Sequence, residues 1–233
     1  MTLNKMLIVY FLALIVAAGI AYKLFVIDKV NNSSKAVMYY TNPNLLGKSN
    51  PETTLSGKEG QPAFKVYAEV NKDGNQVIDL FLGEEIVGPE AYVYLADALT
   101  TLTEKDVVNV HLYGYGGSVQ GGTVILNGLE RTKAHVIMRV EAPIYSMHAV
   151  IACVGDEIVM SEGTYLMFHD ASMAAQGKIS EINAYVDEAK ISLAALLQNG
   201  VDRKILTKEQ VADILSGRDV YVSEKYIKKH VDK

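Results

Sequence analysis

The sequence predicts an α/β domain, a mostly parallel sheet covered by helices, and three observations predict it. Short apolar runs of strand length alternate with amphipathic runs of helical period. Turn residues punctuate them, at Asp73-Gly74, Gly83-Glu84-Glu85, the cluster between Gly114 and Gly122, and Pro143. At 233 residues the chain holds one well-buried domain of roughly 150–200 residues and an appendage.

The elements follow in order. Phe64, Val66 and Ala68 alternate with Lys65, Tyr67 and Glu69, and Asp73-Gly74 turns the chain into a strand over 77–82, a hairpin-like pair. Ala91, Leu95, Ala98 and Leu99 then fall at helical spacing before a strand over 107–112, completing a β-α-β unit. The pattern repeats through the glycine turn, a helix carrying Val124, Leu126 and Leu129, and a strand over 135–140. A helix over 146–153 and strands over 157–160 and 165–168 come next, the last delivering His169. The longest amphipathic stretch, 177–198, aligns Ile182, Val186, Ala189, Leu193, Leu196 and Leu197 on one stripe, with Asn199-Gly200 as its stop. Thr207 and Gln210 have capping-box spacing and open a helix through Val211, Ile214 and Leu215, ending at Gly217.

Ahead of this domain, which starts near residue 62, lie two other segments. Residues 6–22 carry no charge and are flanked by Lys5 and Lys23; with Leu24 to Ile27 the apolar length reaches about 20 residues, enough for a single membrane anchor over 1–27. A cleaved secretory signal is the rival, because Gly19-Ile20-Ala21 supplies the small residues of a processing site. Lysines 23, 29 and 35 follow the run while Lys5 precedes it, which puts the bulk of the protein on the cytoplasmic side; a cleaved signal would export it instead. Residues 28–61 are polar and turn-rich and form a tether or loosely docked arm.

Composition narrows the function classes. A net charge of −5 offers no basic footprint for nucleic acid. The single cysteine, Cys153, excludes an internal disulfide and sits in an apolar run as a small hydrophobe. The five histidines show no metal-binding helical spacing, so no metal and no cofactor is expected. The glycine cluster lacks the Gly-Lys-Ser/Thr ending of a phosphate loop, which argues against nucleotide binding.

What remains is a parts list for acyl transfer. Ser146 opens a helix, His169 follows 23 positions later, and Asp219 50 positions after that. They supply a nucleophile, a base to take its proton, and a carboxylate to orient the base. A serine at the first turn of a helix also provides a free backbone N–H from the next residue, Met147, and the turn at Gly116-Gly117 provides a second donor for the developing oxyanion. Each member alone has a bland reading: a helix cap for Ser146, a structural histidine for His169, a surface ion pair with Arg218 for Asp219. The Gly-x-Ser-x-Gly elbow is absent, Ile144 and His148 standing at those positions.

Phe81-Leu82-Gly83-Glu84-Glu85-Ile86, Gly116-Gly117-Ser118-Val119 with Gly121-Gly122, Ser146-Met147, Phe168-His169 and Arg218-Asp219-Val220-Tyr221-Val222-Ser223 occur in the order and at the spacing of one family's motifs. Over roughly residues 77 to 225 the chain resembles the Clp protease proteolytic subunit. The resemblance implies a ClpP/crotonase-like fold and a serine endopeptidase with Ser146 as nucleophile, His169 as general base, Asp219 as third member, and Gly117 and Met147 as oxyanion donors. It implies that 177–198 is the handle helix through which two rings pair into a barrel, a homo-oligomer enclosing its sites. It also implies a polypeptide substrate fed by an AAA+ unfoldase in trans, since this chain has no ATPase of its own.

Departures from the family pattern accompany it. Gly114-Tyr115 replaces Ser-Pro before the glycine pair and loosens the turn; His148 replaces a small residue after Ser-Met; Asp170 replaces Gln-Pro after the histidine; and the C-terminal pattern is shortened. Two other functions stay open: a membrane serine protease of the signal-peptide-peptidase type with a lysine base, Lys178 or Lys190, and a catalytically degenerate oligomeric modulator.

Overall fold

The computed structural model describes residues 63–83 and 85–231 in full, and residues 24–30 and 33–39 by their backbone. Strands β1 (Leu24–Val30), β2 (Ser33–Tyr39), β3 (Lys65–Val70) and β4 (Gln76–Leu82) form an antiparallel run; β5 (Val107–Leu112), β6 (His135–Val140) and β8 (Glu157–Met160) continue it in parallel. The order in this seven-stranded sheet is β1-β2-β3-β4-β5-β6-β8. The parallel half corresponds to the expected β-α-β units, and the antiparallel half grows from the hairpin. Within the stretch expected as a tether or docked arm, β2 pairs with β3. The apolar run of 6–22 lies outside the described residues, and among the described residues no helix is long and apolar enough to cross a membrane.

Local chemistry explains the element ends. The β3–β4 turn is closed by the Asn71 side-chain oxygen, which accepts from the Asp73 and Asn75 N–H groups at 3.0 Å each. A 3-10 turn, Pro89–Ala91, leads into helix α1 (Val93–Thr100). Helix α2 (Val119–Arg131) starts at Ser118, whose hydroxyl accepts from Gly121 N–H at 3.1 Å. Helices α3 (Met147–Ala152), α4 (Ile179–Asp202), α5 (Lys208–Leu215) and α6 (Glu224–His230) follow. The capping box at Thr207 and Gln210 is formed as expected. So is the buried, apolar setting of Cys153, whose thiol burial pushes up to about 12.

Asn199-Gly200 does not stop α4, which continues to Asp202. Gly200 is there for proximity: a Cβ on it would lie 2.9 Å from Leu206 and 3.3 Å from the Cys153 sulfur. Its carbonyl accepts from both Ile205 and Leu206 N–H, which turns the chain under the helix.

The core lies between the parallel strands and α1, α2 and α3, with Leu80, Val108, Val110, Leu112, Met138 and Val140 fully buried. Strands enclosed on both faces lose period-2 alternation, as β5 does, and burial of this kind stabilises by roughly 25 cal/mol per Å² of apolar surface. Most of α4 is different. Leu193, Leu197 and Gly200 are buried near its C-terminal end, while Ile179, Tyr185 and Ile191 are 79, 59 and 72% exposed.

A second, three-stranded sheet is absent from the expectation as a sheet. It orders β10 (Val220–Ser223), β9 (Tyr165–Phe168) and β7 (Ile144–Tyr145). At two residues β7 is too short to show any period, and it forms only because β9 offers a parallel edge.

Candidate active site

The small sheet brings the three candidate side chains to one edge. In the antiparallel pair, Val220 faces Phe168 and Tyr221 faces Met167; one step further along this register, Asp219 stands opposite His169. In the parallel pair, Ile144 faces Leu166 and Tyr145 faces Met167, and the ladder is closed by Ser146 N–H donating to the Met167 carbonyl at 2.8 Å. The residues that leave this edge are therefore Asp219, His169 and Ser146, in that order, with the histidine following the central strand.

Ser146 occupies the turn between β7 and α3 with φ 54° and ψ −127°, a conformation that costs about 1–3 kcal/mol for a residue with a Cβ. Strand, strained serine and helix together make the geometry of a nucleophile elbow without its glycines. Although Ser146 sits at the N-cap position, its hydroxyl makes no capping bond. The bland reading as a cap is thus overturned, and the side chain lines a cleft of about 250 Å³ together with His169, Asp170, Gly117 and Met147. Leu193 and Leu197 of α4 supply apolar wall, and Tyr115 forms part of the rim.

Asp219 is exposed and lies outside the cleft lining. Arg218 ion-pairs with Asp213 at 2.9 Å instead of with its sequence neighbour, so the surface-ion-pair reading of Asp219 fails as well. Among the described residues no hydrogen bond joins Ser146, His169 and Asp219 to one another. Lys178 is exposed and pairs with Glu181 at 3.7 Å, Lys190 is exposed, and neither lines the cleft.

The glycine turn leaves one backbone N–H unpaired among the described residues. Gly117 forms a parallel bridge with Ile86: Ile86 N–H donates to the Gly116 carbonyl at 2.9 Å, and Ser118 N–H donates to the Ile86 carbonyl at 2.6 Å. Such a bridge uses the flanking groups and leaves the N–H of Gly117, a residue that lines the cleft, pointing away from Ile86. The Met147 N–H, first in its helix, likewise has no acceptor among the described residues. Both glycines have positive φ, 102° and 135°, and a Cβ on Gly116 would lie 2.6 Å from the Ser146 Cβ. Only glycine lets this backbone run so close to the serine.

One feature escapes the sequence-based expectation, and a second, His148, stands there only as a departure from the family pattern. Tyr115 stacks on Tyr145 at 5.2 Å, Tyr145 meets Tyr165 edge-on with their hydroxyls 2.8 Å apart, and Tyr165 meets Tyr221 at 5.6 Å. The Tyr165 hydroxyl bond pushes the Tyr145 phenol up to about 12. No sequence signal joins four tyrosines on separate segments. His148, the second, is completely buried in α3; its Nδ1 accepts from Gly116 N–H at 2.9 Å, and its Nε2 has no partner among the described residues. Burial pushes its pKa down to about 4, and the Leu82 carbonyl offsets part of that push. The turn expected to be loosened is held by this imidazole.

A family model described as Clp protease matches residues 59–228 of the chain. Comparison with curated proteins finds no match.

Two outcomes follow from the geometry. Ser146→Ala removes no capping bond and is expected to change stability by less than about 0.5 kcal/mol, whereas Ser118→Ala, which removes one, costs about 1 kcal/mol in denaturant titration. Because the folded His148 releases its proton near pH 4 and the unfolded chain near 6.5, the unfolded state binds more protons between those values. Stability therefore falls as pH drops from about 6.5 toward 4, by on the order of 3 kcal/mol, and His148→Asn removes that part of the slope in denaturation at a series of pH values.

Proposed function

The chain belongs to the Clp protease family, and on that footing we propose that it is a serine endopeptidase hydrolysing unfolded polypeptides through Ser146, His169 and Asp219. Membership supports a serine-type peptidase of the ClpP kind. The observation that carries the assignment of residues is Ser146 itself: a strained serine, free of any capping bond, facing a cleft shared with His169 and two unpaired backbone N–H groups.

The chemistry follows. Ser146 Oγ attacks the peptide carbonyl carbon as His169 takes its proton, and the carbonyl π electrons move onto oxygen, where the Gly117 and Met147 N–H groups receive the charge. The tetrahedral species collapses to an ester on Ser146; His169 hands the proton to the departing amine. Water, deprotonated by the same imidazole, then cleaves the ester and regenerates the hydroxyl. Asp219, behind the ring, sets its orientation and stabilises it while charged. Hydrogen bonds of this kind commonly tighten only in the complex with substrate, so their absence among the described residues is compatible with these roles.

The same proposal covers the assembly. The exposed apolar residues of α4 suit a helix that is covered in a homo-oligomeric ring, and an ATP-driven unfoldase on another chain would supply extended substrate. The apolar run of 6–22, flanked by lysines, would hold the peptidase at a membrane with its domain on the cytoplasmic side. A lysine base finds no support in the positions of Lys178 and Lys190.

A fluorophosphonate probe is expected to label Ser146 in the wild-type protein. Label should vanish in Ser146→Ala and fall by about 100-fold or more in His169→Ala, while Lys178→Ala and Lys190→Ala retain it. A folded oligomer that takes no label contradicts the proposal, and loss of label in a lysine variant with retention in His169→Ala transfers it to the lysine-base class.

A further inference from the structure

His148 is a polar side chain placed where a core usually carries an apolar one. It is the second residue of α3, 0% exposed, and a buried imidazole nitrogen without a partner is costly. Nδ1 accepts from the Gly116 N–H at 2.9 Å, while Nε2 lies toward the Leu82 carbonyl without good hydrogen-bond geometry. An acceptor Nδ1 requires a neutral ring with its proton on Nε2. If filling space were the ring's whole task, a leucine or phenylalanine would do so with no polar atom buried.

Gly114 shows what the ring needs in return. A Cβ at position 114 would stand 2.3 Å from His148 Cε1, 2.5 Å from Nε2 and 2.8 Å from Nδ1, inside any permitted contact. The Gly114 carbonyl also accepts from Tyr145 N–H at 3.1 Å, which fastens this end of the turn to β7. The two departures that the sequence presents as separate are thus one fitted pair: the missing side chain at 114 is the space the imidazole occupies. The imidazole's one hydrogen bond then runs from the serine's helix to the residue directly before Gly117.

We propose that His148, admitted by Gly114, is a positioning residue that ties the Gly116-Gly117 turn to the helix of Ser146 and thereby fixes the Gly117 N–H for the oxyanion. This role rests on the peptidase assignment made above. It touches no reacting atom, so its effect is felt where the oxyanion forms and not where substrate first binds.

The test uses the full chain and a fluorogenic peptide ester, with His148→Ala, His148→Asn, Gly114→Ala and the double variant Gly114→Ala/His148→Ala. His148→Ala is expected to lower kcat about 10- to 100-fold with KM within about twofold, since an oxyanion donor is called on chiefly in the transition state. His148→Asn, whose side-chain oxygen accepts from Gly116, is expected to recover kcat to within about fivefold of wild type. Gly114→Ala should match the loss in His148→Ala when made alone and add less than about twofold when the ring is already gone. Full kcat in His148→Ala, no rescue by asparagine, or an equal cost of Gly114→Ala in both backgrounds overturns the role. Nitrogen-15 spectra of the wild-type ring give a readout independent of activity: a proton on Nε2 is expected, and one on Nδ1 overturns the tie even if every variant misfolds. A wild-type protein without Ser146-dependent turnover sinks the peptidase assignment and this role with it; an active wild type whose His148→Ala variant is equally active sinks the role alone.

Discussion

A single main-chain hydrogen bond, Ser146 N–H to the Met167 carbonyl, fixes how the site is built. It closes the short parallel ladder between β7 and β9, and so places the serine one residue beyond a strand that is adjacent to the strand delivering His169. On the far side of β9, the antiparallel ladder with β10 ends at the pair Phe168 and Val220, so His169 and Asp219 leave it at the same end. Register is a discrete property: a slip of one residue would turn His169 to the other face and carry Asp219 away from it. Three residues separated by as many as 73 positions are thus gathered by two ladders of hydrogen bonds rather than by contacts among themselves.

The second constraint is the approach of the glycine turn to the serine. Ile86 pins the turn from one side through the bridge to Gly117, and His148 pins it from the other through Gly116. Beside these two fixed points, Gly117 and Met147, whose N–H groups have no acceptor among the described residues, line the same cleft. Donors held in place before charge develops need no reorganisation when it does, which is the main way backbone amides assist acyl transfer. The cost is carried locally, in a serine at positive φ and in an imidazole buried in the core.

Much of this was legible in the sequence, for physical reasons. Strands of the parallel sheet and helices such as α5 announce themselves by apolar period and by caps, and the residue types of Ser146, His169, Asp219, Gly117 and Met147 point to acyl transfer once their order is seen. The sheet that gathers them was not legible. β7 has two residues and no period, and β10 reads as a motif rather than a strand, although Val220 and Val222 alternate with Tyr221 and Ser223. The misplaced end of α4 shows the same limit, because Gly200 answers to Leu206 and Cys153, and a helix stop cannot be told from a close contact by residue type alone. Gly114 and His148 lie 34 positions apart, so their fit exists only in three dimensions.

The gathering of serine, histidine and backbone donors at one sheet edge is tested most directly by a crystal structure of the protein after reaction with a fluorophosphonate. Expected is a covalent bond from Ser146 Oγ to phosphorus, with the phosphoryl oxygen about 3 Å from the nitrogens of Gly117 and Met147 and His169 within hydrogen-bond reach of the serine oxygen. An adduct on another residue, or a phosphoryl oxygen turned away from both amides, contradicts it.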